Sequence, residues 1–341
     1  MTPQQVSFVM LKFFLIVTIC GLLGFANCRE IVTKHIDLFD AVAVNDEPLI
    51  GILSLEQSYY LDGKYPGAYD SYIAASYVKF VEGGGARVVP IWIGKRREYY
   101  EAIMSKLNGI LFPGGATWFN QTDGYADAGR IIYDVAIKMN NRGEYFPIWG
   151  TCLGFELLTY IAADGVEHRA ACASSNQALP LVFKDDYKSS RLFANAPESV
   201  LRILESEPNL TDYNLDKEWR VMSVNSDWNG LEFISTIENR NYPFYGVQFH
   251  PEKNLYEWVR NKNISHTAHA IQAAQYFAQF FVSEARKSNH HFADSKTEDQ
   301  YVIYNYPATF TGAVGSAFEQ AYMFAGKVDY MTVEAGDLIE Y

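Results

Sequence analysis

The sequence predicts an α/β fold, a single domain with a mostly parallel central sheet flanked by helices. Three observations predict it. From about residue 48, short apolar runs alternate with segments of helical periodicity. One apolar run, Phe146-Pro147-Ile148-Trp149, leads directly into Gly150-Thr151-Cys152-Leu153-Gly154. That is a cysteine version of the nucleophile elbow, a sharp strand-to-helix turn that holds a reactive side chain in the open. Another run, Phe244 to Phe249, leads straight into His250-Pro251-Glu252. Reactive groups of a parallel sheet sit at the carboxyl ends of strands, so both motifs are expected at one site.

The elements follow in order. Leu49-Ile50-Gly51-Ile52-Leu53 reads as a buried first strand. Ser71 to Glu82 reads as a helix, with Tyr72, Ala75, Val78 and Val81 recurring every third residue, and Gly83-Gly84-Gly85 ends it. Ala86 to Ile93 is the next strand, Glu98 to Lys106 a helix, and Gly109 to Phe112 a third strand. A helix is expected from Tyr125 to Asn140, with Ile131, Ile132, Val135 and Ile137 as apolar positions. The middle is less regular, but Leu179–Phe183, Arg220–Val224 and Leu231–Thr236 read as further strands. A helix from about Ala268 to Ser288 closes the core. The main domain is therefore read over residues 45–292, with 293–341 as a C-terminal extension of no assigned place.

The chain of 341 residues is long enough for a sizeable core, and 49% apolar with 20% charged residues is ordinary globular composition. Its formal charge of −12 argues against nucleic acid or an anionic membrane as a partner, since both need a basic footprint. At the N-terminus, Lys12 precedes the apolar run Phe13 to Ala26, with small Gly24 and Ala26 at the −3 and −1 positions. This predicts a signal peptide over residues 1–26, cleaved after Ala26; an uncleaved anchor is the alternative. The run is short for a membrane span, which needs about 20 residues. A secretory route makes the N-x-S/T sequons at Asn120, Asn209 and Asn263 glycosylation candidates.

Of four cysteines, Cys20 leaves with the signal and Cys28 lies just beyond the cleavage point. Cys172 reads as a buried structural thiol, with a Cys28–Cys172 bridge as the alternative. Cys152 differs by context. A thiolate nucleophile needs exposure and a favourable field, and a helix N-terminus and a nearby imidazolium supply the field. An arbitrary cysteine at a strand end is more often core, but the flanking Gly150 and Gly154 favour the elbow. His250 follows a strand, and Glu252 two positions on points the same way in an extended segment. Its carboxylate can hold one ring nitrogen and leave the other for the thiol. Phe112-Pro113-Gly114-Gly115 also follows a strand. The backbone of Gly114 and Gly115, with that of Leu153, can form an oxyanion hole; an ordinary tight turn is the blander reading. His266-x-x-His269 lacks a further ligand, so no metal site is expected, and His290-His291 reads as a solvated helix end.

These motifs, in this order, resemble the class I glutamine amidotransferase-like superfamily. Within it the chain is similar to the gamma-glutamyl hydrolase family over about residues 47–292. The stretches that carry the likeness are Tyr69 to Lys79, Gly109 to Gly115, Trp149 to Glu156, Tyr245 to Lys253 and Arg286 to Phe292. The resemblance implies Cys152 as nucleophile, His250 as base and acid, and Glu252 as orienting group. It implies folylpoly-gamma-glutamates as substrates, no cofactor, a homodimer, and a secreted or lysosomal location. Lys64, Lys79 and Lys253 are candidates for the cation that holds the substrate's carboxylates. One departure stands out. Family members carry a histidine near an aromatic residue after the Glu-Pro that matches Glu207-Pro208, and no histidine occurs here between His168 and His250. A folate-binding or scaffold protein with reduced or lost turnover is therefore the rival from another class, and a glutaminase subunit the rival enzyme.

Overall fold

The computed structural model describes residues 44–167, 169, 173–174, 179–204, 218–260 and 262–325. Its larger sheet takes the order β4-β1-β5-β6-β10-β9-β8-β7. Here β1 is Leu49–Leu53, β4 Arg87–Ile91, β5 Ile110–Phe112, β6 Ile148–Thr151 and β10 Phe244–Val247. These five run parallel. The far edge is antiparallel: β9 (Glu232–Asn239), β8 (Trp219–Ser226) and β7 (Val182–Phe183). The sheet is thus mostly parallel with an antiparallel flank built from the irregular middle of the chain.

Two helix layers cover it. On one side α2 (Ala75–Gly83), α6 (Glu198–Leu204), α7 (Pro251–Tyr256) and α8 (Ala268–Ala285) pack together. On the other lie α3 (Arg97–Met104), α4 (Tyr125–Asn141) and α5 (Leu153–Ala162). Strand alternation explains the division at β6. Trp149 is fully buried against the rings of Phe80 on α2 and of Phe277 and Phe281 on α8. Its neighbour Gly150 faces α5 instead, where a Cβ would stand 2.5 Å from Gly154 O.

A second, antiparallel sheet has the order β11-β12-β3-β2, with β2 Leu55–Glu56, β3 Ser71–Ala74, β11 Ala308–Thr309 and β12 Ala321–Phe324. It corrects the expected helix over Ser71–Glu82. Residues 71–74 are a strand paired with β12, in register Ser71↔Phe324 to Ala74↔Ala321, and the helix begins only at Ala75. Helical spacing of the apolar residues was present, but pairing with a distant segment overrode it. The same pairing gives part of the tail a place: residues 308–324 return to the start of the domain. Two further short α-helices are α1 (Tyr59–Lys64) and α9 (Ser295–Asp299), and three single 3-10 turns lie at Tyr187–Ser189, Ile303–Asn305 and Thr311–Val314.

His290 is corrected as well. It is not a solvated helix end, because its ring is largely covered and Nδ1 donates to Leu107 O at 2.9 Å. The signal peptide, the Cys28–Cys172 pair and Asn209 lie outside the described residues. Among the described residues no helix is long and apolar enough to cross a membrane.

Candidate active site

Three adjacent parallel strands, β5, β6 and β10, end at the same edge. Their carboxyl ends carry Pro113-Gly114-Gly115, Cys152 and His250 in turn. This adjacency joins motifs almost a hundred residues apart in the chain.

Cys152 sits between β6 and α5 with φ 52° and ψ −109°. A side chain other than glycine rarely adopts a positive φ, and such strain is typical of a nucleophile held out of a turn. The turn is locked by its neighbours. Cys152 N–H donates to Val247 O at 2.8 Å, and Cys152 O accepts from Glu156 N–H at 2.9 Å to start the helix. A Cβ on Gly154 would lie 1.9 Å from Phe112 O, so only glycine lets α5 approach β5 this closely. The sulfur therefore stands at the N-terminus of a ten-residue helix, where unpaired N–H groups favour negative charge.

His250 is half-buried and caps the N-terminus of α7, whose first residue is Pro251. Its Nδ1 lies 2.7 Å from Glu252 Oε1, and Glu252 is only 1% exposed. With Nδ1 donating to that carboxylate, Nε2 is the nitrogen left for the thiol. The Cys152 side chain lies close enough to act on the ring. Burial works against the charged ring, but the Glu252 carboxylate and then Cys152 outweigh it and push His250 up to about 9, while Lys253 acts the other way.

That shift has a consequence for stability. A histidine raised in the folded state stabilises fully below its unfolded value and loses that contribution as pH rises through the folded one. Between pH ~6.5 and ~9 the protein is expected to lose up to about 3 kcal/mol. His250→Ala should flatten this fall. Urea midpoints of both proteins at pH 6 and pH 9 check it, and equal slopes would contradict the assignment.

The glycine loop closes the site. A Cβ on Gly114 would lie 2.6 Å from Tyr77 Oη, and 3.0 Å from both Cys152 Cβ and His250 Cε1. Gly114 N–H donates to Tyr77 Oη at 2.9 Å. The amides of Gly115 and Leu153 have no acceptor among the described residues. Tyr77 itself is fully buried, with its hydroxyl 3.3 Å from His250 Nδ1 and against Glu252. Burial first, then the charges of Glu252 and Cys152, push that phenol well above its ordinary range, so it stays a neutral spacer between the glycine loop and the His250–Glu252 pair.

Sequence reasoning missed Tyr77 as a site residue. It also missed Glu156, one helical turn after Cys152, whose carboxylate accepts from Gln248 Nε2 at 3.1 Å and pairs with Arg169 at 3.3 Å. The available signals were spacings: Glu156 at i+4 from Cys152, and Gln248 two strand positions before His250. Of the three candidate lysines, Lys253 alone is felt at His250. Lys79 Nζ is held by Gln320 Oε1 at 2.6 Å, and Lys64 lies over the Tyr60 ring. His266 stacks on Trp258 with ring centroids 3.8 Å apart and uses Nδ1 on Asn254 O, so its place is in a side-chain stack.

Known proteins share this arrangement of sequence. The Peptidase C26 family profile matches residues 48–252. Gamma-glutamyl hydrolase of Bos taurus is 42% identical over 292 residues, covering 82% of this chain and 90% of that protein. The Homo sapiens gamma-glutamyl hydrolase is 41% identical over the same shares of the two chains. Gamma-glutamyl hydrolase B of Dictyostelium discoideum is 37% identical over 295 residues, 82% of this chain and 84% of its own. With the profile matched over more than half its length and relatives this similar over most of it, the chain belongs to the gamma-glutamyl hydrolase family, Peptidase C26.

Proposed function

We propose that this cysteine-type peptidase hydrolyses the gamma-glutamyl amide bonds of folylpoly-gamma-glutamates through Cys152, His250 and Glu252. The carrying observation is the meeting of a positive-φ Cys152 and a Glu252-held His250 at the ends of two adjacent strands. The Cys152 sulfur, its proton passed to His250, attacks the γ-carbonyl carbon. The amides of Leu153 and Gly115, at the helix N-terminus and the glycine loop, supply donors for the tetrahedral oxygen. Gly114 contributes by its lack of a side chain, its N–H being engaged by Tyr77. His250 then protonates the leaving α-amine of the released glutamate or oligoglutamate, and the C–N bond breaks to leave a thioester. Water, deprotonated by His250, attacks the thioester, releasing the acid and the thiol. No step needs a metal or an organic cofactor.

Incubation of the mature protein and its Cys152→Ala variant with pteroylpentaglutamate at mildly acidic pH tests this reading. Shortening that depends on Cys152 supports it. Tight binding without shortening would favour the folate-binding reading, which the lack of a histidine between His168 and His250 motivates.

The secretory reading joins the apolar N-terminal run to two sequons that are surface exposed, Asn120 and Asn263. The protein is then a secreted or lysosomal glycoprotein, acting by family resemblance as a homodimer. Secreted protein should begin at Asn27 and lose mass on enzymatic deglycosylation; an unchanged mass would remove the glycan assignment, and an intact N-terminus the cleavage.

A further inference from the structure

The tail that the sequence could not place runs behind the catalytic pair. Its residues 311–324 form a strap held at several points. Ala75 N–H donates to Gln320 O at 2.8 Å, and Lys79 Nζ donates to Gln320 Oε1 at 2.6 Å. Phe318 packs on the ring of Tyr72 and lies under Lys253 Nζ at 5.7 Å. The remaining anchor is a carboxylate. Glu319 N–H donates to Glu257 Oε2 at 2.6 Å.

Glu257 is unusual for a glutamate. It caps the C-terminus of α7, the six-residue helix that His250 begins, and it is 1% exposed. Its Oε1 makes no hydrogen bond, and neither does Oε2 of the equally buried Glu252 or Oγ of buried Ser76. Glu257 lies close enough to Glu252 and Ser76 for both to act on its ionisation. A carboxyl group this deeply buried beside a second acid, with the Glu319 amide as its close donor, is poorly accommodated as an anion, and its own proton relieves that.

We propose that Glu257 is a positioning residue for the hydrolysis, a carboxylic acid that in its neutral form joins the 311–324 strap to the back of the Glu252–His250 pair. This rests on the triad reading given above. The surrounding charges agree with it. From its own helix Glu252 opposes ionisation of Glu257 and Lys253 favours it; from α2 come the Ser76 hydroxyl, neutral Tyr77 and Lys79, the last held by Gln320. The strap supplies the Glu319 amide, and the buried acid of α8, Glu284, is occupied by Tyr145, Tyr245 and Lys287. Burial, aided by Glu252, raises Glu257 above the usual carboxylate range, against the opposing pull of the Glu319 amide, Ser76 and Lys253. As pH rises, ionisation of Glu257 places a second negative charge behind Glu252 and weakens the hold on the catalytic pair.

Two variants of the mature chain test it, Glu257→Gln and Glu257→Ala. The amide of the first mimics the neutral acid, since its oxygen can accept from Glu319 N–H and its NH2 can donate where the acid O–H would. Two readouts are followed against pH: pteroylpentaglutamate cleavage, and the iodoacetamide alkylation rate of Cys152 read from its own peptide by mass spectrometry. The wild type should show an ionisation in both profiles that Glu257→Gln lacks, with the two proteins within about twofold at the acid end. Glu257→Ala should lose about tenfold to a hundredfold in kcat with KM nearly unchanged, as displacement of a catalytic group does. Superimposable wild-type and Glu257→Gln profiles would overturn the proposal, whatever happens to the stability of Glu257→Ala. The alkylation arm needs no substrate. An altered alkylation profile in a protein that cleaves nothing would therefore sink the hydrolase reading and leave only Glu257's hold on the Cys152–His250 geometry.

Discussion

Cys152→Ala is expected to lower kcat for pteroylpentaglutamate cleavage by about 10⁴-fold or more while leaving the thermal transition in place. The size follows from the mechanism. Without the sulfur there is no thioester, and residual turnover can come only from bound water near the Leu153 and Gly115 amides. The unchanged fold follows from the local geometry. Cys152 is partly exposed, and the contacts that lock the turn are made by its backbone and by Gly150 and Gly154. Alanine keeps that backbone, and the positive φ at Cys152 is no easier or harder for it. Product chromatography over long incubation measures the loss. Turnover within tenfold of wild type would mean that another group is the nucleophile. Binding should survive, because the variant removes one atom from the site.

His250→Ala should cost about 10³-fold, within the range that a general acid–base group contributes. The thiol loses its proton acceptor and the leaving amine its donor. Glu252→Ala should be milder, about tenfold to a hundredfold, because it removes the partner of Nδ1 and leaves the imidazole itself. The same change removes a buried carboxylate that helps hold His250 up to about 9, so the ring should titrate nearer its ordinary value. Rates of the three proteins from pH 4 to 9 provide the check. A Glu252→Ala variant less active than His250→Ala would show that Glu252 does more than orient the ring.

The parts of this site legible in the sequence were those encoded by local chemistry. Gly150 and Gly154 announced the elbow, because only a residue without a side chain tolerates contacts of 2.5 Å and 1.9 Å at those places. The sequence reads His250 and Glu252 as neighbours on an extended link. They do pair, but Pro251 and Glu252 open α7 and His250 is its N-cap, so a helix start and not strand alternation brings the ring onto the carboxylate. Glu156 and Gln248 were visible only as spacings, since nothing in a single strand or helix says that the two will meet. Tyr77 was hidden for a different reason. In a helix of buried aromatic and apolar residues, a tyrosine facing the core looks like packing until its hydroxyl is seen against Gly114 and His250.

The strand Ser71–Ala74 shows the limit most plainly. Its residues carry helical spacing, and what makes them a strand is a partner near the other end of the chain. Glu257 belongs to the same class, being one of many glutamates in sequence and a buried acid only once the tail has folded over it. The sequence by itself determined the alternating architecture, the elbow, and the place of Cys152 and His250 at the ends of strands, because backbone sterics and short-range spacing act within a few residues. The tertiary structure alone decided the antiparallel flank, the second sheet, and the shell of Tyr77, Glu156 and Glu257 around the triad. Those depend on which distant segments become neighbours, and that is settled by the burial and hydrogen bonding of the whole fold.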